Sequence, residues 1–179
     1  MKTTQILIAG FGGQGILFSG KFLAYKGLLD DIQVSWLPSY GPEMRGGTAN
    51  CNVILSDTPV GSPIITTPDV LIAMNLPSLQ KYVDTVAPGG QIYIDSSLIS
   101  AKVERQDVDV FYVPATQMAK DNGIGTLANM IILGSLLENN PNMSFEGVDA
   151  VVESLVPPKK AALKELNMKA LSLGRDYKN

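Results

Sequence analysis

Ile6-Leu7-Ile8-Ala9-Gly10-Phe11-Gly12-Gly13-Gln14-Gly15 is an apolar run that ends in glycines spaced G-x-G-x-x-G, at Gly10, Gly12 and Gly15. The run is too short to span a membrane, and Ile16 to Ala24 behind it has the periodicity of a buried helix. Strand, glycine turn and helix form the opening of a doubly wound α/β domain. A tight turn needs residues without a Cβ, and the helix it starts offers unpaired N–H groups at the positive end of its dipole. An anion fits such a place, although the same spacing serves equally to shape a strand-to-helix corner.

Outward from that stretch, Ile32 to Leu37 alternates like a second strand. A dinucleotide site wants Asp or Glu about 20 residues past the glycines, at the end of that strand, to hold the ribose hydroxyls. Ser35, Trp36, Leu37 and Pro38 stand there instead, so NAD is not the expected ligand. Next comes Pro38-Ser39-Tyr40-Gly41-Pro42-Glu43-Met44-Arg45-Gly46-Gly47-Thr48, whose prolines and glycines predict a loop of fixed geometry. Arg45 is its leading candidate for ligand contact, an always-charged fork that grips phosphate or carboxylate bidentately. An ion pair with Glu43 or with a neighbouring chain is the alternative. Tyr40 either stacks on a flat ligand or anchors the loop by packing. Gln14 either reaches a ligand or caps the glycine turn.

Further along, Ala49 to Leu55 reads as a strand with Cys51, Val53 and Leu55 on one face, which makes Cys51 a small core filler. Ile64-Ile65 begins another short extended segment. Asp69 to Met74, Pro77 to Val83 and Gln91 to Asp95 follow as strand, helix and strand, a crossover of the kind that builds parallel sheets. Asp95 ends its strand where α/β proteins often place ligand groups, although as a lone carboxylate. Asp109 to Val113 is the last strand, and Pro114 to Ala119 turns helical. Thr126 is placed to cap Leu127 to Leu137, a helix apolar on nearly every side and therefore buried against the sheet, another helix or another subunit. Gly134 inside it costs about 1 kcal/mol relative to Ala, so close packing is expected there. Phe145 to Leu155 and Lys159 to Leu173 read as helices, with a frayed tail from Gly174. The expected fold class is α/β: a doubly wound, mostly parallel sheet with helices on both faces and a helical C-terminal segment. One domain is expected over residues 1–179, an α/β core at 1–140 with the helices of 141–179 packed on it.

Composition narrows the chemistry. The chain has 179 residues, a net charge of −3 and no basic block, which argues against a nucleic-acid surface. Charged residues make up only 17%, a shortfall that suggests some surface is covered by another chain. Histidine is absent, which removes His triads, His bases and His metal ligands. A single cysteine, Cys51, excludes a disulfide, a zinc knuckle or an iron–sulfur cluster built from this chain alone. Met1 to Gln5 leads straight into the first strand, so neither a signal peptide nor a membrane span is expected, and a cytoplasmic location is.

The pairing of Gly10-Phe11-Gly12-Gly13-Gln14-Gly15 with Ser39-Tyr40-Gly41-Pro42-Glu43-Met44-Arg45-Gly46-Gly47 resembles the gamma subunit, or gamma domain, of the 2-oxoacid:ferredoxin oxidoreductases. Asn122-Gly123 followed by Asn129-Met130 and Leu133-Gly134 is similar to that family too, and the likeness runs from about residue 4 to 170. The resemblance implies a subunit of an enzyme that decarboxylates a 2-oxoacid on thiamine diphosphate, reduces ferredoxin through iron–sulfur clusters and forms an acyl-CoA. Thiamine diphosphate, Mg and the clusters are then expected on partner alpha, beta and ferredoxin-like subunits and not on this chain, with coenzyme A as co-substrate. This chain is expected to support assembly and to line the active-site or coenzyme A cleft with Gly12, Gly13, Gln14, Tyr40, Glu43, Arg45 and Gly46. No catalytic residue and no metal ligand is expected in it. The alternatives are a stand-alone phosphate- or nucleotide-binding Rossmann-like module and a purely structural scaffold.

Overall fold

Burial on both faces accounts for the unbroken apolar run of the first strand. In the computed structural model, which describes residues 3–41 and 46–178, β1 (Thr4–Phe11) lies inside a six-stranded sheet of order β2-β3-β1-β4-β5-β6. Ile6 and Ile8 point into one core and Leu7 into the other. On one side β1 pairs in parallel with β4 (Val70–Ala73), followed by β5 (Gln91–Asp95) and β6 (Asp109–Val113), also parallel. On the other side it pairs antiparallel with β3 (Thr48–Ser56), which forms a hairpin with the edge strand β2 (Gln33–Tyr40). The sheet is mixed, with its parallel strands to one side of the hairpin.

Two details differ from the sequence reading. Pro38, Ser39 and Tyr40 continue β2 instead of opening the loop, with Pro38 opposite Cys51. An edge strand tolerates a proline because one of its sides carries no ladder. Ile64 and Ile65 join no strand and lie in the irregular connection between β3 and β4. The hairpin also moves β2 two places from β1. The parallel neighbour of β1 is β4, which runs out at Met74 and Asn75, so no acid stands at the end of this strand either.

The larger core lies between the sheet and a layer of helices that includes α1 (Ile16–Leu29), α3 (Ala115–Asp121), α4 (Ala128–Asn139), α5 (Val148–Leu155) and α6 (Ala161–Asp176). The smaller core on the opposite face is closed by α2 (Leu76–Tyr82) and by Ile99, Val103 and Val108 from the β5–β6 connection. Asn75 caps α2, its Oδ1 accepting the Ser78 N–H at 2.8 Å, with Pro77 in the first turn. α4 is buried from Asn129 to Leu137 because the sheet takes one side and α6 the other. It starts at Ala128 without a side-chain cap, so Thr126 does not serve as one.

Gly134 and Gly174 mark where α4 and α6 cross. A Cβ on Gly134 would overlap the Leu171 carbonyl, and one on Gly174 would overlap the Ile131 carbonyl. Close packing therefore offsets the helix-propensity penalty of Gly134. Gly174, read from sequence as the start of a frayed tail, is instead buried in a helix that continues to Asp176. Among the described residues no helix is long and apolar enough to cross a membrane.

Candidate ligand cleft at the glycine turn

A hairpin returns its turn to the edge of the sheet from which it left. Because β3 runs antiparallel to β1, Phe11 at the end of β1 lies opposite Thr48, and Tyr40 lies opposite Ala49. Gly46 and Gly47, which lead into β3, consequently meet the glycine turn. Gly12 donates its N–H to the Gly47 carbonyl at 2.8 Å, and Gly46 donates to the Gly12 carbonyl at 3.4 Å. Gly46 adopts φ 73°, a conformation that glycine enters without steric cost. Gly12, Gly13, Gln14, Tyr40 and Gly46 are thus brought to one place, whereas Glu43 and Arg45 lie outside the described residues.

Gln14 holds the turn together. Its Oε1 accepts the Phe11 N–H at 2.7 Å, and its Nε2 donates to the Met74 carbonyl at 2.8 Å, which joins the ends of β1 and β4. Of the two roles open to it in the sequence, capping the turn is the one the geometry displays. Gly15 begins α1 at φ 75°, and a Cβ there would stand only 2.5 Å from the Asn129 amide. Asn129 Nδ2 donates to the Gly15 carbonyl at 3.3 Å and to Ser19 Oγ at 3.1 Å. The start of α4 is thereby tied to the start of α1. Sequence reasoning gave Asn129 no role beyond the resemblance; its signal is an amide in the first turn of a helix that is otherwise apolar as far as Leu133.

Between the two motifs lies a groove of about 300 Å³, lined by Phe11, Gly12, Gly13, Leu17, Phe18 and Tyr40, among others. Tyr40 is half exposed there (49%) and free to meet a flat group. The N–H groups in the first turn of a helix have no intrahelical acceptors, and the first turn of α1 carries no acidic side chain to offset its dipole. The groove is therefore suited to an anion with an apolar or aromatic portion.

Nearby polar groups are structural. The Asp95 carboxylate is fully buried and accepts the Thr116 hydroxyl at 2.5 Å and the Ser97 and Thr116 N–H groups at 3.2 Å, so it tethers α3. The Cys51 thiol lies under α1, donating to the Ile16 carbonyl at 3.5 Å. Burial, the dominant cause, pushes this thiol up to about 12, against smaller opposing hydrogen-bond effects from Trp36 and Gly20. Among the described residues no group of three or more His, Cys, Asp or Glu is placed to hold a metal ion.

Comparison with known proteins follows the same lines. Residues 5–177 match the family described as pyruvate ferredoxin/flavodoxin oxidoreductase. The ketoisovalerate oxidoreductase subunit VorA of Methanothermobacter thermautotrophicus is 44% identical over 133 residues, which are 74% of this chain and 28% of that protein. The match therefore spans less than a third of that relative's length. The gamma subunit of a keto/oxoacid ferredoxin oxidoreductase from Geobacter sulfurreducens superposes with a TM-score of 0.80 at 31% identity, covering 96% of this chain and 95% of that one. A 2-oxoglutarate:ferredoxin oxidoreductase from Magnetococcus marinus, solved with 2-oxoglutarate, coenzyme A and succinyl-CoA bound, gives a TM-score of 0.88 at 26% identity over 98% of this chain and 31% of that one. With a family match along nearly its whole length and a gamma subunit of the same size and fold, the chain belongs to the pyruvate ferredoxin/flavodoxin oxidoreductase family.

Proposed function

We propose that this chain is the gamma subunit of a cytoplasmic 2-oxoacid:ferredoxin oxidoreductase complex, and that it supports assembly and lines the coenzyme A cleft without supplying catalytic residues. The complex would convert a 2-oxoacid and coenzyme A to acyl-CoA and carbon dioxide while reducing ferredoxin. Thiamine diphosphate, Mg and the iron–sulfur clusters are assigned to alpha, beta and ferredoxin-like partners, consistent with a lone buried cysteine here. The carrying observation is the pair of backbone hydrogen bonds that joins Gly12 to Gly46 and Gly47. They merge two motifs more than 30 residues apart into the walls of one groove at a helix N-terminus. A stand-alone dinucleotide module is disfavoured, because neither β2 nor β4 ends in a ribose-binding acid.

In this reading the chain's own residues bind and orient. The backbone at Gly12 and Gly13 lets a phosphate approach the α1 N-terminus, where the helix dipole and free N–H groups hold it. Arg45 is assigned a bidentate charge-assisted grip on that phosphate, with Glu43 from the same segment at the cleft. Tyr40 stacks on the flat base, and Gln14 keeps the turn in shape. Coenzyme A supplies the thiol that accepts the acyl group.

Leu17, which lines the groove in the first turn of α1, provides the test. Leu17→Glu and Leu17→Gln have nearly the same shape and differ in charge. The helix dipole favours the glutamate by about 0.3–1 kcal/mol, so that variant is at least as stable as the glutamine one. A bound phosphate reverses the preference. The Michaelis constant for coenzyme A in the assembled complex should be about tenfold higher for the glutamate, equivalent to about 1.4 kcal/mol. Equal constants for the two variants refute the cleft.

A further inference from the structure

Strand β2 leaves one edge of the sheet open, since among the described residues no strand pairs with its outer side. Gly41, just past the strand, donates its N–H to the Thr48 carbonyl at 2.8 Å. Backbone direction alternates along an antiparallel pair, so Gln33, Ser35, Leu37 and Ser39 turn their backbone groups to β3. Val34, Trp36, Pro38 and Tyr40 turn theirs outward. Val34 and Trp36 offer both an N–H and a carbonyl there, whereas Pro38 offers only the carbonyl. Edges that stay single are commonly guarded by charged side chains, bulges or prolines. β2 carries no charged residue and no break in its register, so Pro38 is its one guard. α1 lies over this edge, for a Cβ on Gly20 would meet Trp36 and one on Gly27 would meet Val34. Leu28 and Leu29 at the end of α1, with Trp36, Leu37 and Tyr40 on β2, are all exposed. Such a concentration of apolar surface marks a place of interaction.

We infer that a second copy of this chain pairs with β2, antiparallel and about a twofold axis at Ser35. Val34 of each copy then stands opposite Trp36 of the other and exchanges both backbone hydrogen bonds with it. An axis at Trp36 or Leu37 would set Pro38 opposite Val34 or Trp36 and lose a bond on each side, so the proline disfavours both. A strand that meets itself must tolerate its own charges, and β2 has none. The antiparallel arrangement also keeps the exposed Asp31 of the two copies about 27 Å apart, well beyond the Debye length. Both α1 helices come to lie on the same face of one continuous sheet. The edge is about 27 Å long and, counting the sheet and the helix over it, roughly 20 Å deep. Two copies therefore bury about 1,100 Å², just above the threshold of about 1,000 Å² for a specific interface. The inference does not depend on which ligand the glycine turn receives.

The test is analytical ultracentrifugation of the full chain at about 100 μM, above the micromolar dissociation constants of modest interfaces. The wild type should sediment at twice its chain mass of 19.1 kDa. Ser35 meets its own copy on the axis, so Ser35→Lys and Ser35→Glu each set like charges opposite one another. Each should weaken the dimer about tenfold, and an equal mixture of the two should recover it. Ser35→Cys keeps the shape of serine and places two thiols at a Cα separation of about 4.5 Å, within disulfide range. It should oxidise to a covalent dimer, whereas the wild type, whose Cys51 is buried, should not. A monomeric wild type overturns the inference. A dimer that neither charge weakens overturns it as well, because the contact then lies elsewhere. So does a loss that mixing fails to recover. Should the charged variants not fold, Ser35→Cys decides alone, and the absence of a covalent dimer refutes the pairing.

Discussion

Replacing Gly134 by Ala sets two physical effects of opposite sign against each other. Helix propensity alone would stabilise α4 by about 1 kcal/mol. The new methyl group, however, would enter the space held by the Leu171 carbonyl, and the neighbouring Arg175 N is close as well. These are backbone atoms of a 16-residue helix, so no side-chain rotation relieves the contact. The Cβ would stand 2.0 Å from the Leu171 oxygen, so α6 must withdraw by about 1.4 Å to reach ordinary van der Waals spacing at 3.4 Å, and a gap of about 0.5–1 Å already forfeits a quarter to a half of each dispersion contact it opens. Met130, Ile131, Ala170 and Leu171 are all fully buried around the crossing and lose contacts together. Overpacking of this kind costs about 1–3 kcal/mol. With such a rigid obstacle we take the upper value, which leaves a net loss of about 2 kcal/mol after the propensity gain. For a chain of this length that corresponds to a fall in Tm of about 4–8 °C. Gly174→Ala should behave alike, through Ile131. The double variant should cost less than the sum, because one withdrawal of α6 relieves both overlaps. Thermal unfolding followed by circular dichroism measures all three. An unchanged or raised Tm for Gly134→Ala would refute the close crossing.

Arg45 and Cys51 carry the remaining predictions. Arg45→Ala in the assembled complex should raise the Michaelis constant for coenzyme A by about ten- to a hundredfold, the range for a charge-assisted hydrogen bond of about 1.5–3 kcal/mol. An unchanged constant removes Arg45 from the cleft. Cys51 should resist thiol reagents at pH 8 in the native protein and react fully once the chain is denatured. Its thiol is raised in the folded state, so the stability linked to it is complete below the ordinary thiol range and is lost as pH climbs toward about 12. Between pH 8 and 10 the wild type should therefore lose stability more steeply than Cys51→Ala. Parallel pH profiles would contradict the buried thiol.

Local pattern alone specified much of the architecture. The apolar run and glycines of residues 6–15 identify β1, its turn and the start of α1. Gln91–Asp95 and Asp109–Val113 are bounded by turn residues so clearly that the strands end where the pattern does. The all-round apolar surface of α4 announced its burial, and Gly134 its close packing. Such signals arise from neighbours in the chain, through a period of 2 for strands and 3.6 for helices. The two motifs of the cleft were also visible as motifs.

Their meeting was not. No periodicity states that β2 and β3 fold back as an antiparallel hairpin beside β1, yet that choice alone carries Gly46 and Gly47 to the glycine turn. Gln14 became a cap only when Met74, 60 residues away in sequence, brought its carbonyl within reach. Asn129 acquired its role from Gly15, 114 residues distant. Gly174 reads as an end-of-chain glycine until α4 lies across it. Propensity and period are properties of short segments, whereas a cleft is a set of distances between segments, and those distances exist only after the sheet has chosen its order and the helices have packed.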